Sequence, residues 1–170
     1  NALKMLGNET FICTTPGAYR WNPDIEVETD YEEFEKNIAA LKSQNLDTEE
    51  KKQLCREIEA CYKGEVSSRI AGEPWMIPKI TWYQSMYMDS VKILCGILEE
   101  EHEWAELEMI CNRVMQMDAL DEDIHCWLMR SLQGQKKYDL ALVQYEKANR
   151  QFYEQMGIRN PKKIGAMYRT

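Results

Sequence analysis

Residues 128–148 read LMRSLQGQKKYDLALVQYEKA, and residues 94–114 read LCGILEEEHEWAELEMICNRV. A shift of 34 residues lays Leu94 on Leu128, Leu98 on Leu132, Trp104 on Tyr138 and Leu107 on Ala141. It also lays Met109 on Val143, Cys111 on Tyr145 and Val114 on Ala148. Within each copy, leucines four apart define one helical face. After a polar turn, an aromatic residue opens a second segment with apolar positions at three- and four-residue spacing. Each stretch therefore reads as a helical hairpin. In the second copy Ala141 is small enough to let the two helices approach, and Tyr138 and Tyr145 fill the space beside it, with Gly134 expected to close the first helix.

A period of 34 resembles the tetratricopeptide repeat. The first copy departs from that pattern, with Leu107 where alanine is usual and no proline at Ala119. Two stacked repeats need a neighbour to bury their faces, and two further helices upstream, about 29–44 and 48–63, are the natural one. Thr29-Asp30-Tyr31-Glu32 has the capping-box form and leads into Phe34, Ile38 and Leu41. Asp47 with Glu50 opens the second helix, which Gly64 can end. A long loop spans Val66 to Pro78, and a third helix runs from about Lys79 to Glu100. Asp121 starts a later helix, Gly157 stops the next, and Asn160-Pro161 caps a short last one. The expected fold is mainly α: a tetratricopeptide-like, right-handed stack of helical hairpins, about seven helices, with one short N-terminal β-hairpin.

That β-hairpin is the only strand-like stretch. Thr10 to Thr14 and Ala18 to Trp21 are β-prone runs, and Thr15-Pro16-Gly17 supplies the turn. One isolated two-stranded hairpin is marginal in water, so it must pack on the helices or complete a larger sheet. Asn1 and Ala2 read as a remnant of cloning, which makes the chain an excised fragment starting at Leu3.

Little in the sequence points to chemistry. The six cysteines include no C-x-x-C pair, and they read as reduced thiols used as small hydrophobes. His102 lies in an acidic turn with Glu99, Glu100, Glu101 and Glu103, read as a solvated helix end. His125 precedes Cys126, but adjacent helical residues point about 100° apart and would not face one substrate. No phosphate-binding glycine motif occurs, and neither a metal nor a cofactor is expected. No apolar run suits a membrane span, and the reading is a cytoplasmic protein without enzymatic activity. The net charge of −8 argues against a general polyanion binder, yet it is unevenly spread. Residues 1–129 hold 12 basic against 26 acidic side chains, and residues 130–170 hold 9 against 3.

Several ordered strings resemble one family. Tyr62-Lys63-Gly64-Glu65-Val66, followed by a helix bearing Trp82, is similar to the Tyr-x-Gly-acid-hydrophobic signature of the bacterial transcriptional activator domain. Met117 to His125, leading into Leu128-Met129-Arg130, resembles it too. So do Ala141-Leu142-x-x-Tyr145, Met156-Gly157-Ile158-x-x-Pro161 and Met167-Tyr168-Arg169. The resemblance covers about residues 24–170. It implies a helical domain of antibiotic-regulatory-type activators, placed directly after a winged-helix DNA-binding domain of the OmpR type, with room for a receiver domain and phosphorelay control ahead of it. Phe11 to Trp21 then resembles the terminal wing, departing from it at Pro16 and Ala18. The domains implied are 1–23, the wing of a truncated winged helix, and 24–170, the activator domain.

The resemblance implies a regulatory, protein-interaction and oligomerisation module, with the base-reading helix outside this chain. DNA would be reached only through the winged-helix part, where Thr14, Thr15 and Arg20 are candidate phosphate contacts, although a purely structural role is preferred for the hairpin here. From the residues themselves, a partner groove is expected on the first helix of each repeat, at Lys92, Gly96 and Glu99, then Cys126, Arg130 and Gln133. Trp75, Trp82, Tyr83 and Tyr87 form a candidate aromatic surface, with core packing as the stronger reading. Met86, Met88, Met109, Met115 and Met117 read as core filler. The acids from Asp24 to Glu35 read as a solvated linker and helix start. The basic residues Lys136, Lys137, Lys147, Arg150, Arg159, Lys162, Lys163 and Arg169 form a solvated face, or complement an acidic neighbour. Protein partners, including a second copy in a homodimer, are expected. The competing reading is a stand-alone helical-repeat adaptor with no DNA role.

Overall fold

The computed structural model describes residues 11–26, 29–43, 45–64 and 72–167. The expected cloning remnant, Glu65 and Val66 of the tyrosine-glycine string, and Tyr168-Arg169 lie outside the described residues. Strands β1 (Ile12–Thr15) and β2 (Ala18–Trp21) pair antiparallel, with Ile12 opposite Trp21 and Thr14 opposite Tyr19. Gly17 takes φ 79°, the left-handed value that the turn needs. Facing pairs share one side of the ribbon, so Ile12, Thr14, Tyr19 and Trp21 make an apolar face. Ile12, Tyr19 and Trp21 are all exposed, so the described helices do not cover this face. Of the two placements open to the hairpin, packing on the helical body is not the one this face shows.

Seven helices follow among the described residues. Helices α1 (Asp30–Leu41) and α2 (Thr48–Cys61) both begin with the reciprocal capping box read from the sequence. Glu32 N–H donates to Thr29 Oγ1 at 3.4 Å, and the Glu32 carboxylate accepts from Thr29 N–H at 3.1 Å. Asp47 and Glu50 do the same at 2.8 and 2.9 Å. Helix α3 (Ile77–Glu100) carries Pro78 in its first turn, where a missing N–H costs nothing. Then come α4 (Trp104–Met117), α5 (Glu122–Gly134), α6 (Tyr138–Met156) and α7 (Lys162–Met167).

Helix α3 is the spine. Its Tyr87, Val91, Leu94, Cys95 and Leu98 are buried with Phe34 and Ile38 of α1, Cys55 and Ile58 of α2, Leu107 and Val114 of α4, and Leu128 of α5. Each such side chain contributes about 1.5–3 kcal/mol by leaving water. A smaller cluster joins Cys126 and Met129 to Ala148, Phe152 and Ile164 at the α5–α6–α7 end.

The 34-residue shift recurs in the backbone. Helices α4 and α6 start at Trp104 and Tyr138, one period apart. The turn before each places a non-glycine residue in the left-handed region, His102 at φ 60° and Lys136 at φ 63°. Glu103 N–H reaches Leu98 O at 2.9 Å, and Lys137 N–H reaches Leu132 O at 2.8 Å. The helix ends at Gly134 as expected, and Lys136 takes the left-handed conformation of the turn. What Gly134 supplies is absence of a Cβ, because Trp104 Cδ2 and Cε2 lie 2.4 Å from where one would be.

The acidic turn, expected to be a solvated helix end, is a joint. Buried Lys52 of α2 donates to Glu101 and, at 2.7 Å, to Glu103. Arg56 forks onto Glu106, at 2.8 Å from Nε and 2.6 Å from Nη2. Burial works to lower the Lys52 pKa, but its two carboxylate partners outweigh it and hold the ammonium charged. His102 itself is exposed, stacked on Trp104 with ring centroids 5.0 Å apart.

Candidate protein-binding groove

Helical spacing puts Lys92, Gly96 and Glu99 on one face of α3, and α5 answers each charge. Lys92 Nζ lies 2.7 Å from Asp121 and 3.5 Å from Asp123. Glu99 accepts from Arg130 Nη1 at 2.8 and 3.0 Å and from Trp127 Nε1 at 2.8 Å. Between Lys92 and Glu99, a Cβ at Gly96 would meet nothing within 4 Å. Helix α7 closes the third side: Lys163 Nζ pairs with Asp123, and Lys163 N–H donates to Glu122 at 2.8 Å. Asp123, Cys126, Trp127, Arg130, Lys163 and Met167 line a groove of about 320 Å³.

Of the six residues expected in the groove, Cys126 and Arg130 line it, Lys92 and Glu99 are tied by ion pairs to Asp123 and Arg130 of its lining, and Gly96 lies between them on α3. Cys126 forms part of the wall from a buried position. Gln133 does not join them. It lines a neighbouring hollow of about 250 Å³ with Met129, Tyr138 and Leu142, and Met167 borders both. Sequence reasoning missed Asp123 and Trp127, although both share the α5 face of Cys126 and Arg130 at three- and four-residue spacing. It also missed Lys163 and Met167, because a helix of six residues has too little periodicity to show a face.

The charges in the groove are mutually neutralised. Burial works to raise the Asp123 pKa, but Lys163 and then Lys92 outweigh it and hold the carboxyl low. Exposed and half-exposed pairs of this kind are worth about 0–1 kcal/mol each. The groove therefore offers fixed hydrogen-bonding groups without a strong net charge. Burial pushes the Cys126 thiol up to about 11, the opposite of activation. His125 is fully buried: its Nε2–H donates to Ala119 O at 2.9 Å and its Nδ1 accepts from Gln144 at 2.8 Å. With both ring nitrogens so engaged, it packs the helices as expected and forms no dyad with Cys126.

The aromatic surface divides in two. Tyr87 is buried, stacked on Tyr62 with centroids 4.1 Å apart, so it is core and not surface. Tyr83 is half-buried against Phe34, and its hydroxyl donates to Glu35 at 2.5 Å; burial and then Glu35 push its pKa up to about 12. Trp75 and Trp82 remain exposed. The methionines divide likewise: Met86, Met88 and Met115 pack on the core, whereas Met109 and Met117 face solvent. In the hairpin, Thr14, Thr15 and Arg20 are exposed, but Thr14 lies on the face opposite Thr15 and Arg20.

The motif residues hold structural posts. Tyr62 anchors the end of α2 on Tyr87, and Gly64 takes φ 76° beside Met117, whose Sδ would lie 2.9 Å from a Cβ. Gly157 ends α6 at φ 69°. Residues 29–170 match the family model of the bacterial transcriptional activator domain. The chain belongs to that family. No curated protein and no solved structure gives a significant match. The match begins at Thr29, the N-cap of α1, and does not include the hairpin. The family is one of transcriptional activator domains, which supports a regulatory role for the chain. Among the described residues, no group of three His, Cys, Asp or Glu side chains is placed to hold a metal ion, and no helix is long and apolar enough to cross a membrane.

Proposed function

We propose that this chain is the protein-contacting and oligomerising module of a cytoplasmic DNA-binding activator of the antibiotic-regulatory type. In this reading residues 1–23 are the wing of an OmpR-type winged helix, residues 24–170 are a tetratricopeptide-like activator domain, and base reading belongs to a helix outside these 170 residues. The observation that carries it is the family match over 29–170 beside a hairpin whose apolar face the described helices leave open. That face, with Ile12, Tyr19 and Trp21, fits a strand pair that completes another domain's sheet. Thr15 and Arg20 share the other face and would meet phosphate there. The groove of Asp123, Cys126, Trp127, Arg130 and Lys163, with Lys92 and Glu99 paired to its side chains, would hold a segment of the transcription machinery or of the same protein, and dimerisation would use the helical body.

Electrophoretic mobility shift tests the division of labour. A version extended upstream through a helix-turn-helix should bind DNA far more tightly than this chain, and equal affinity refutes it. Light scattering at high concentration should show a dimer; a strict monomer removes the oligomerisation role. The fixed hydrogen-bonding groups of the groove also suit a stand-alone peptide-binding adaptor. A start codon near Leu3 in the parent gene would favour that reading.

A further inference from the structure

A cleft of about 700 Å³ lies where the end of α2 meets α3 and α4, away from the groove. Helical spacing sets Gln84, Tyr87 and Met88 on its α3 wall and Arg113, Gln116 and Met117 on its α4 wall. The size lies within the roughly 300–1,000 Å³ of small-molecule sites. Tyr87 is the deepest of these residues: 1% of it is exposed, and its ring is held face to face on Tyr62. Its hydroxyl makes no hydrogen bond among the described residues, yet it is not sealed from solvent, and the open side is the cleft that Tyr87 lines. Burial pushes the phenol well above its usual pKa, so it holds its proton and stands as a donor without an acceptor. Buried polar groups nearly always have a partner, and a donor left open toward a cleft marks the place for one.

Two further hydrogen-bonding groups flank it. Gln84 and Gln116 carry exposed carboxamides, and neither makes a hydrogen bond among the described residues. The two charged residues on the lining are already answered: Lys63 lies 3.8 Å from Asp30, and Arg113 is paired with Glu59. Glu59 and Arg113 also act on the Tyr87 hydroxyl in opposite directions. Charge therefore selects neither an anion nor a cation, and what remains is hydrogen bonding set in apolar walls. Met88 and Met117 supply adaptable contact, and the Tyr62 and Tyr87 rings supply a firm one. We infer that this cleft binds a small uncharged molecule with an apolar body and a carbonyl-type acceptor, received by the Tyr87 hydroxyl and flanked by Gln84 and Gln116. The inference rests on the cleft alone and stands whether or not the chain serves a DNA-binding protein.

The uncharged fluorophore propionyl-dimethylaminonaphthalene carries such a carbonyl, and dimethylaminonaphthalene is the same ring system without it. Titrated into the full chain, the ketone should bind saturably at one site with blue-shifted emission, and more tightly than the compound that lacks the carbonyl. Tyr87→Phe keeps the ring and removes the donor. It should weaken the ketone about fivefold, equivalent to about 1 kcal/mol, and leave the other compound unchanged. Gln116→Trp, at an exposed position, fills the cleft and should abolish binding of both with the helical circular dichroism retained. Methyl NMR of the unaltered chain gives a readout independent of any variant: the Met88 and Met117 methyls should shift on titration of the ketone, and those of Met76 and Met129 should not. Non-saturable binding, equal losses for both compounds in Tyr87→Phe, or shifts at Met76 or Met129 would overturn the assignment.

Discussion

Gly134→Ala puts a methyl group where the Trp104 indole already sits. Its Cβ would lie 2.4 Å from Cδ2 and Cε2 and 2.7 Å from Nε1. Carbons at rest are about 3.5–4.0 Å apart, so the ring must retreat by about 1 Å. It has little freedom to do so, being packed on the core and stacked on His102. Overpacking of this kind costs about 1–3 kcal/mol. Helix propensity opposes it, since alanine gains about 0.5–1 kcal/mol over glycine within a helix. The clash wins, for a net loss of about 1–2 kcal/mol and a fall in Tm of about 2–8 °C for a domain of this size. A double-mutant cycle by urea unfolding isolates the cause. Trp104→Ala removes the obstacle at its own cost, and in that background Gly134→Ala should reverse sign and stabilise by up to about 1 kcal/mol. The same cost in both backgrounds, or a gain in the native one, refutes the reasoning.

Gly64→Ala meets a different obstacle: the residue's left-handed φ costs alanine about 1–2 kcal/mol, and Met117→Ala, by removing only the sulfur contact, should recover part of the loss in thermal melts. Lys52→Met leaves Glu101 and Glu103 facing each other, and the joint between α2 and the α3–α4 turn should lose about 1–3 kcal/mol in urea, discounted because both carboxylates are part-exposed. Burial holds the His125 pKa below 6.5. The unfolded chain therefore binds the proton first, so this contribution to stability is full above pH 6.5 and is lost as pH falls towards the folded value, with a slope of at most about 1.4 kcal/mol per unit. Unfolding free energies measured across that window should show this slope, and His125→Gln should remove it.

Much of the architecture was legible because it is locally encoded. Thr29 with Glu32 and Asp47 with Glu50 are short-range signals, and the same residues form the same bonds in space. The 34-residue shift was legible for a similar reason: it repeats a turn as well as a face. Longer-range facts were hidden. Trp82 and Tyr83 are neighbours in sequence, but only Tyr83 shares the α3 stripe of Tyr87, Val91, Leu94 and Leu98, so one aromatic cluster became core and surface. The role of Gly134 depends on an indole 30 positions earlier, and the groove wall supplied by α7 depends on a helix too short to have a period. The acids of the α3–α4 turn looked solvated because Lys52 and Arg56, their partners, lie some fifty residues upstream.

Gly96 gives the α3 face between Lys92 and Glu99 a property that its charged residues do not. Alanine there would favour the helix by about 0.5–1 kcal/mol and collide with nothing. A bulkier residue acts as a plug. The glycine thus marks a place where occupancy can be altered while the core stays as it is. Gly96→Trp would cover the α3 face between Lys92 and Glu99, a built-in block to any partner that docks on that face. Loss of a partner by that chain, with the melting curve preserved, would distinguish recognition from stability at one position.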